Sequence, residues 1–187
     1  MSKAFTKDDS SNDLMVVPER APLPPGVPNY VTERGMCLLE AEREQLLADR
    51  SLLNAVDPDA DTDTDELKKQ LAAVNKRLRD LTERITTART ISPPDNPDQT
   101  VRFGATVTYR SVDGVQSGEQ RQIKLVGVDE AGESASLVAF CAPIAKALIG
   151  QRPGDKVTRP SQSGDEVLEI LAVEYETKQS QSPVPGQ

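Results

Sequence analysis

The fold of the N-terminal half is decided by residues 67–88, which read LKKQLAAVNKRLRDLTERITTA. Apolar residues recur there at alternating spacings of four and three, which is the heptad pattern of a helix that packs along one seam. They are Leu67, Leu71, Val74, Leu78, Leu81, Ile85 and Ala88. The charged positions between them predict a helix surface that faces solvent. These include Lys68, Lys69, Lys76, Arg77, Arg79, Asp80, Glu83 and Arg84.

A second helix with a matching stripe is predicted upstream, over residues 32–55. Its seam residues are Met36, Leu39, Leu46 and Leu53, with Leu38, Leu47 and Leu52 widening the stripe and Arg43 and Arg50 interrupting it. Pro58 separates the two segments, and Asp63 followed by Glu66 resembles a capping box that starts the later helix. Two helices of similar length joined by a short loop fold back on each other. We therefore predict an antiparallel coiled-coil hairpin over residues 30–92.

The turn of this hairpin, residues 57–66, contains no basic residue and six carboxylates. They are Asp57, Asp59, Asp61, Asp63, Asp65 and Glu66. The turn is either a solvated acidic loop or a set of ligands for a divalent cation or a cationic pocket, since such a partner relieves the repulsion between like charges. An EF-hand calcium loop is excluded, because no register provides both the central Gly and the final Glu.

The remaining ordered chain changes to the pattern of a small sheet. Segments rich in β-branched residues predict strands at 101–112, 121–128, 134–140 and 166–176, with a further strand starting at Lys156. A short Ala- and Leu-rich segment, 142–150, predicts one helix closed by a C-terminal glycine. Residues 93–100 form a proline-containing linker. The fold class predicted is α+β, in which the hairpin is followed by an antiparallel β domain with one short helix over 101–176.

Both ends of the chain predict disorder. Residues 1–29 form a Pro-rich extension, and residues 177–187 a similar tail, because neither contains enough apolar surface for a core. No signal peptide and no run of 18 apolar residues is present, so we expect a soluble, cytoplasmic protein with no membrane contact.

Composition excludes several kinds of site. The chain has no His and no Trp, which rules out Ser-His-Asp and Cys-His catalysis and zinc binding through imidazole. Cys37 and Cys141 lie far apart and form neither a metal pair nor a disulfide framework. The net charge of −8 argues against nucleic-acid binding by the whole surface. Six of the excess negative charges lie in the turn at 57–66, so the rest of the chain is nearly balanced.

Several motifs, in order, resemble one protein family. They are TERG (32–35), RLRDLTERITTARTI (77–91), FGATVT (103–108), LVGVDEA (125–131), APIAKALIGQRPGDKV (142–157) and ILAVEYE (170–176). Together they resemble the GreA/GreB transcript-cleavage factors over residues 30–176.

The resemblance implies a fold, a partner and a site. The C-terminal domain would be FKBP-like and would dock on bacterial RNA polymerase at the rim of its secondary channel, while the coiled coil passes down the pore. The acidic tip would help to hold Mg²⁺ jointly with the polymerase, with no tightly bound cofactor, and would meet backtracked RNA only indirectly. Such a protein is a monomeric regulator, not an enzyme. The resemblance places polymerase contacts at Ala142, Pro143, Ile144, Ala145 and Leu148, although packing against the sheet explains the apolar ones equally well.

The tip departs from the family pattern and leaves two functions open. The segment Gly-Asp-x-x-Glu-Asn is absent; Asp63 and Glu66 reproduce only its Asp-x-x-Glu spacing, whereas alignment from the downstream helix selects Asp57 instead. The hairpin is also shorter than the family's by about one turn per arm, or roughly 5–8 Å. The chain therefore either stimulates cleavage of backtracked RNA or docks in the same way and inhibits. A third alternative, a peptidyl-prolyl isomerase, is disfavoured because the β domain has few aromatics: Phe103, Tyr109, Phe140 and Tyr175.

Overall fold

The computed structural model describes residues 22–56, 64–94, 98–113, 117–161 and 164–176. The elements in chain order are β1 (Tyr30–Val31), α1 (Glu33–Asn54), α2 (Thr64–Thr87), β2 (Arg89–Thr90), β3 (Thr106–Ser111), β4 (Gln120–Val126), β5 (Leu137–Ala139), α3 (Pro143–Leu148), β6 (Lys156–Ser161) and β7 (Gly164–Glu174). The predicted disorder of residues 1–21 and of the tail at 177–187 lies outside the described residues. The α+β fold class is confirmed.

The predicted helical hairpin is formed by α1 and α2, and its apolar seam is most deeply buried near the base. Leu39, Leu46, Leu78 and Leu81 form one cluster together with Val31 of β1. Burying each of these leucines contributes about 2 kcal/mol. Towards the turn the seam opens, and Leu52 is 70% exposed, because two helices alone cannot surround a wide apolar stripe.

A short parallel pair of strands, β1 with β2, closes the base of the hairpin and was not expected. The apolar seam predicts helix as far as Ala88 and the hairpin as far as residue 92, but α2 ends at Thr87 and residues 89–90 form a strand. The Thr87 hydroxyl donates to the carbonyl of Glu83, and the Ala88 amide donates to Ile85, which closes the last turn. Asn29, placed in the disordered extension by the sequence, is buried and donates through Nδ2 to the Arg84 carbonyl at 2.7 Å.

The C-terminal domain is a five-stranded sheet with the strand order β5-β4-β3-β7-β6. The prediction that this sheet is antiparallel is wrong at one edge, where β4 and β5 pair in parallel, with Lys124 opposite Leu137. The chain between the two strands, residues 127–136, crosses back along the edge of the sheet. As a result β5 begins beside Lys124 and runs in the same direction as β4. That connection carries Asp129 and Glu130 to the base of the hairpin.

A single helix, α3, packs against this sheet as the sequence predicts. Ala145 and Leu148 of α3 are fully buried, together with core residues of the sheet such as Leu125, Leu168 and Ile170. Gly150 follows the helix with φ of 89°, a left-handed conformation that favours glycine just after a helix end. Among the described helices, none is long and apolar enough to cross a membrane.

Candidate functional site

The acidic turn lies at the far end of the hairpin, between α1 and α2. Four of the six predicted ligands, Asp57, Asp59, Asp61 and Asp63, are outside the described residues. Asp65 and Glu66 lie in the first turn of α2, where the helix dipole favours negative charge. Their side chains are exposed and pair with lysines three residues later, Lys68 at 3.4 Å and Lys69 at 3.9 Å. No group of three or more potential metal ligands occurs within the described part of the chain.

The length of α1 separates Asp65 and Glu66, at the start of α2, from the base of the hairpin. The 22 residues of α1 span about 33 Å at 1.5 Å per residue. A rotation of about 10° at the base would displace the turn by about 6 Å over that length. The packing at the base therefore determines where the carboxylates lie.

The first contact at the base is made by Glu130, which is only 2% exposed. Its Oε2 accepts a hydrogen bond from the Thr32 hydroxyl at 2.6 Å, and its Oε1 accepts one from the Thr32 amide at 3.3 Å. Thr32 is the N-cap of α1, and its hydroxyl oxygen accepts from the Gly35 amide at 3.0 Å. A Cβ on Gly35 would collide with the Glu130 carboxylate. The carboxylate thus anchors the start of α1 to the β domain.

The second contact joins α2 to the same loop. Arg84 and Asp129 form an ion pair at 3.6 Å, with side chains only 8% and 6% exposed. Beside it, Arg34 donates to Glu133 at 2.7 Å, and this hydrogen bond raises the pKa of the Arg34 guanidinium. Because misalignment would leave a buried charge without its partner, the Arg84–Asp129 contact specifies how the hairpin is oriented on the β domain.

The third contact is a cluster of three aromatic rings. Tyr30 of β1 packs against Phe103, which precedes β3, with ring centroids 5.9 Å apart, and against Phe140, which follows β5, at 5.4 Å. Phe103 and Phe140 also contact each other edge to face at 5.5 Å. Gly127 lies close by, and a Cβ there would approach the Tyr30 carbonyl to 2.5 Å. We name these three contacts together the hairpin joint.

The docking residues predicted on α3 divide into two groups. Ala145 and Leu148 are fully buried in the core of the β domain, which leaves them no surface for a partner. Ala142 and Ile144 are partly buried, and Pro143 is exposed at the first turn of the helix. The surface available for docking is therefore Ala142, Pro143 and Ile144, held in place by the other two.

Comparison with known proteins identifies the family. The model of the GreA/GreB transcription elongation factor C-terminal domain matches residues 96–175. Transcription elongation factor GreB of Neisseria meningitidis is 33% identical over 158 residues, which cover 79% of this chain and 94% of that protein. Transcription elongation factor GreA of Acidiphilium cryptum is 31% identical over 154 residues, covering 78% and 96%. The chain belongs to the GreA/GreB family.

Solved structures are also similar to this GreA/GreB-family chain. A GreA/GreB factor from Nitrosomonas europaea is 20% identical, with coverage of 80% of this chain and 99% of that one and a TM-score of 0.38. Gfh1 of Thermus thermophilus is 19% identical, with coverage of 78% and 97% and a TM-score of 0.34.

In this GreA/GreB-family chain, the hairpin joint is the feature that sequence reasoning missed. Arg84 was expected on the solvent-facing flank of the coiled coil, and this is wrong because Asp129 draws it into the joint. Two glycines were the only features of the sequence that pointed to the joint. Gly35 in the first turn of a helix and Gly127 beside two acidic residues both indicate a close approach of another segment. Neither glycine reveals which segment approaches.

Proposed function

We propose that this chain is a regulator of bacterial RNA polymerase that inserts its hairpin into the secondary channel and acts at the active site through its acidic tip. The chain belongs to a family of transcription elongation factors, which supports RNA polymerase as its partner. The hairpin joint is the structural observation on which the proposal rests. The joint fixes the base of a hairpin about 33 Å long whose far end carries carboxylates. These carboxylates can reach a defined position in a partner only if the base of the hairpin does not rotate. We place its action in the cytoplasm, where such a polymerase works, and expect a monomer.

We propose that docking uses the loop and first turn of α3. Ala142, Pro143 and Ile144 form a small surface whose backbone is held by the buried Ala145 and Leu148. A rigid apolar surface loses little conformational entropy when a partner covers it.

The tip carboxylates would share a Mg²⁺ with the polymerase. Asp65 and Glu66 fit this role because both are exposed at a helix N-terminus, and Mg²⁺ keeps most of its waters and needs only one or two protein carboxylates. Asp57, Asp59, Asp61 and Asp63 join them in the proposal on the sequence alone. A bound Mg²⁺ would polarise the phosphate of backtracked RNA and activate water. The chain contributes ligands and position, and the catalytic residues belong to the polymerase.

An inhibitory factor with the same docking is the second candidate. Lys68 and Lys69 pair with Asp65 and Glu66, and these ammonium groups compete with a cation for the carboxylates. Such a tip would occupy the channel and slow nucleotide addition without promoting cleavage. The two candidates differ only in the outcome at the active site.

The arrangement of the aromatics argues against a prolyl isomerase. Phe103 and Phe140 are committed to the joint with Tyr30, and the Tyr175 hydroxyl donates to the Thr100 carbonyl at 2.5 Å. Tyr109 is buried in the core of the β domain. These rings therefore do not line an open apolar pocket of the kind that binds a peptide.

Transcript cleavage in stalled elongation complexes tests the proposal. The tip variant replaces all six carboxylates with their amides, as Asp57→Asn, Asp59→Asn, Asp61→Asn, Asp63→Asn, Asp65→Asn and Glu66→Gln. The matched control replaces exposed carboxylates on the shafts of the helices, as Glu40→Gln, Glu44→Gln and Asp80→Asn.

Binding to polymerase, cleavage of backtracked RNA and nucleotide addition are measured for each protein. We expect the wild type and the control to bind and to stimulate cleavage, and the tip variant to bind but not to stimulate it. Inhibition of nucleotide addition by the wild type, without cleavage, would select the second candidate. Absence of polymerase binding, or equal action by all three proteins, would refute both.

A further inference from the structure

One face of the hairpin carries a groove of about 730 Å³ between α1 and α2. Leu47 provides its exposed apolar surface, the buried Leu78 forms part of its floor, and Arg43, Arg50 and Arg79 stand around it. Leu47 is 38% exposed, so the groove is open to solvent. It runs from Thr87 at the base to Asn75, a distance of about 18 Å along the helix.

The groove is positive on balance, because three arginines and one glutamate are among its described lining residues. None of the three guanidinium groups forms an ion pair or hydrogen bond with a residue that the structure describes. Glu83, also in the lining, offsets one of the positive charges. An apolar strip flanked by arginines fits a segment with both apolar and acidic side chains.

The chain itself contains such a segment. Residues 8–17 read DDSSNDLMVV, with three aspartates, no basic residue and four consecutive apolar side chains. We propose that this segment binds in the hairpin groove of its own chain, with Asp8, Asp9 and Asp13 facing the arginines and the apolar run covering Leu47.

The position of Asn29 makes the contact reachable. Its Nδ2 donates to the Thr87 hydroxyl at 3.1 Å, and Thr87 is the basal residue of the groove. The 12 residues from Val17 to Asn29 span at most about 40 Å, roughly twice the length of the groove. The segment is tethered beside its site, which raises its effective concentration there.

The same groove is less suited to RNA. Glu83 would repel phosphate, and Leu47 and Leu78 have no polar group to offer a backbone. The apolar run at 14–17, in contrast, gains from covering the exposed side chain of Leu47. This proposal concerns contacts within the chain and does not rest on the proposed action on polymerase.

Photo-crosslinking of the full chain tests it, with p-benzoylphenylalanine in place of Val16 and the cross-linked peptides identified by mass spectrometry. The groove variant is Arg43→Glu, Arg50→Glu and Arg79→Glu, and the segment variant is Asp8→Lys, Asp9→Lys and Asp13→Lys. A third protein combines both sets and restores opposite charges. The control reverses three charges elsewhere, as Lys68→Glu, Lys69→Glu and Lys146→Glu.

We expect cross-links within one chain to residues 43–50 and 75–83. Loss of three exposed charge pairs should reduce their yield about tenfold in the groove variant and in the segment variant. The combined protein should recover the wild-type yield, and the control should keep it. Circular dichroism checks that all variants retain their helices, since Glu and Lys are both good helix formers.

Three results would overturn the proposal. The first is cross-links that map mainly to the β domain or are insensitive to the charge reversals. The second is a cross-linked product of twice the chain mass, which assigns the groove to a second copy. The third is equal affinity of the wild type and the segment variant for a short single-stranded RNA that binds through the arginines. A segment bound in the groove must weaken the binding of such an RNA to the wild type.

Discussion

Replacing Glu130 by Gln tests the hairpin joint with little change in volume. In the wild type the two carboxylate oxygens accept from the Thr32 hydroxyl at 2.6 Å and the Thr32 amide at 3.3 Å. The Thr32 hydroxyl oxygen already accepts from Gly35, so its own hydrogen is directed at Glu130. Gln has one oxygen, and its NH₂ group would face one of these two donors. The joint then contains a buried donor without an acceptor.

Leaving a buried polar group unsatisfied costs about 1–3 kcal/mol. For a chain of this length we expect the thermal midpoint to fall by about 3–10 °C. Glu133→Gln is the matched control, because Glu133 lies in the same loop but its ion pair with Arg34 is 41% to 52% exposed. That exposed pair contributes at most about 1 kcal/mol.

Differential scanning calorimetry measures the midpoint, and electron–electron double resonance between spin labels at Leu52 and Leu171, both exposed, measures the hairpin orientation. Cys37 and Cys141 are replaced by Ser in the labelled proteins. We expect Glu130→Gln to lower the midpoint and broaden the distance distribution, and Glu133→Gln to lower the midpoint less and leave the distance distribution unchanged. The reasoning is refuted if both variants match the wild type in midpoint and distance.

Three further predictions concern other parts of the molecule. Tyr30→Leu removes two ring contacts and should lower the free energy of unfolding by about 1–3 kcal/mol in urea titrations, and no change would exclude a stabilising role for the aromatic cluster. The hydrogen bond from Arg110 lowers the pKa of Glu169 below its ordinary 4.5, so the pair stabilises the fold above that pH and the contribution is lost as the pH falls through the lowered pKa. Glu169→Gln should therefore flatten the acid side of the stability profile, and an unchanged profile would contradict this. Ile144→Ser should weaken polymerase binding and cost less stability than Leu148→Ala, because Ile144 is only partly buried against the core. Leu148→Ala should cost about 2–5 kcal/mol, measured by urea unfolding, and the same response from both variants in binding and stability would refute the division of α3 into surface and core.

Local sequence pattern predicted the elements whose partners are close or periodic. The seam of α2 is visible as a heptad because Leu78 and Leu81 are buried on the same helix face as Val74 and Ile85. The strands and α3 were found through the change of period and the glycine at 150. Sequence pattern alone could not distinguish the buried residues of α3, Ala145 and Leu148, from the more exposed ones. In a helix of six residues, which side chains are buried depends on the surface against which the helix packs.

The hairpin joint could not be predicted, because its residues are distant in sequence. Thr32 and Glu130 are 98 residues apart, and no periodicity relates them. The parallel pairing of β4 with β5 was missed for a related reason. The loop that allows it is shaped by contacts of Asp129 and Glu130 with the hairpin, and composition suggests only a turn. Arg84 shows that a charged residue on a helix flank can be buried when a distant carboxylate meets it.

The proposed function requires the hairpin to bring its acidic tip to the active-site metal of RNA polymerase. It is tested most directly by loading the polymerase active site with Fe²⁺ in place of Mg²⁺ and mapping where the hydroxyl radicals formed there cut this chain. We expect cuts concentrated at residues 57–66. If the six tip carboxylates help to hold the metal, replacing them should abolish these cuts. Cuts confined to the β domain, or no cuts in a complex shown to have formed, would contradict it.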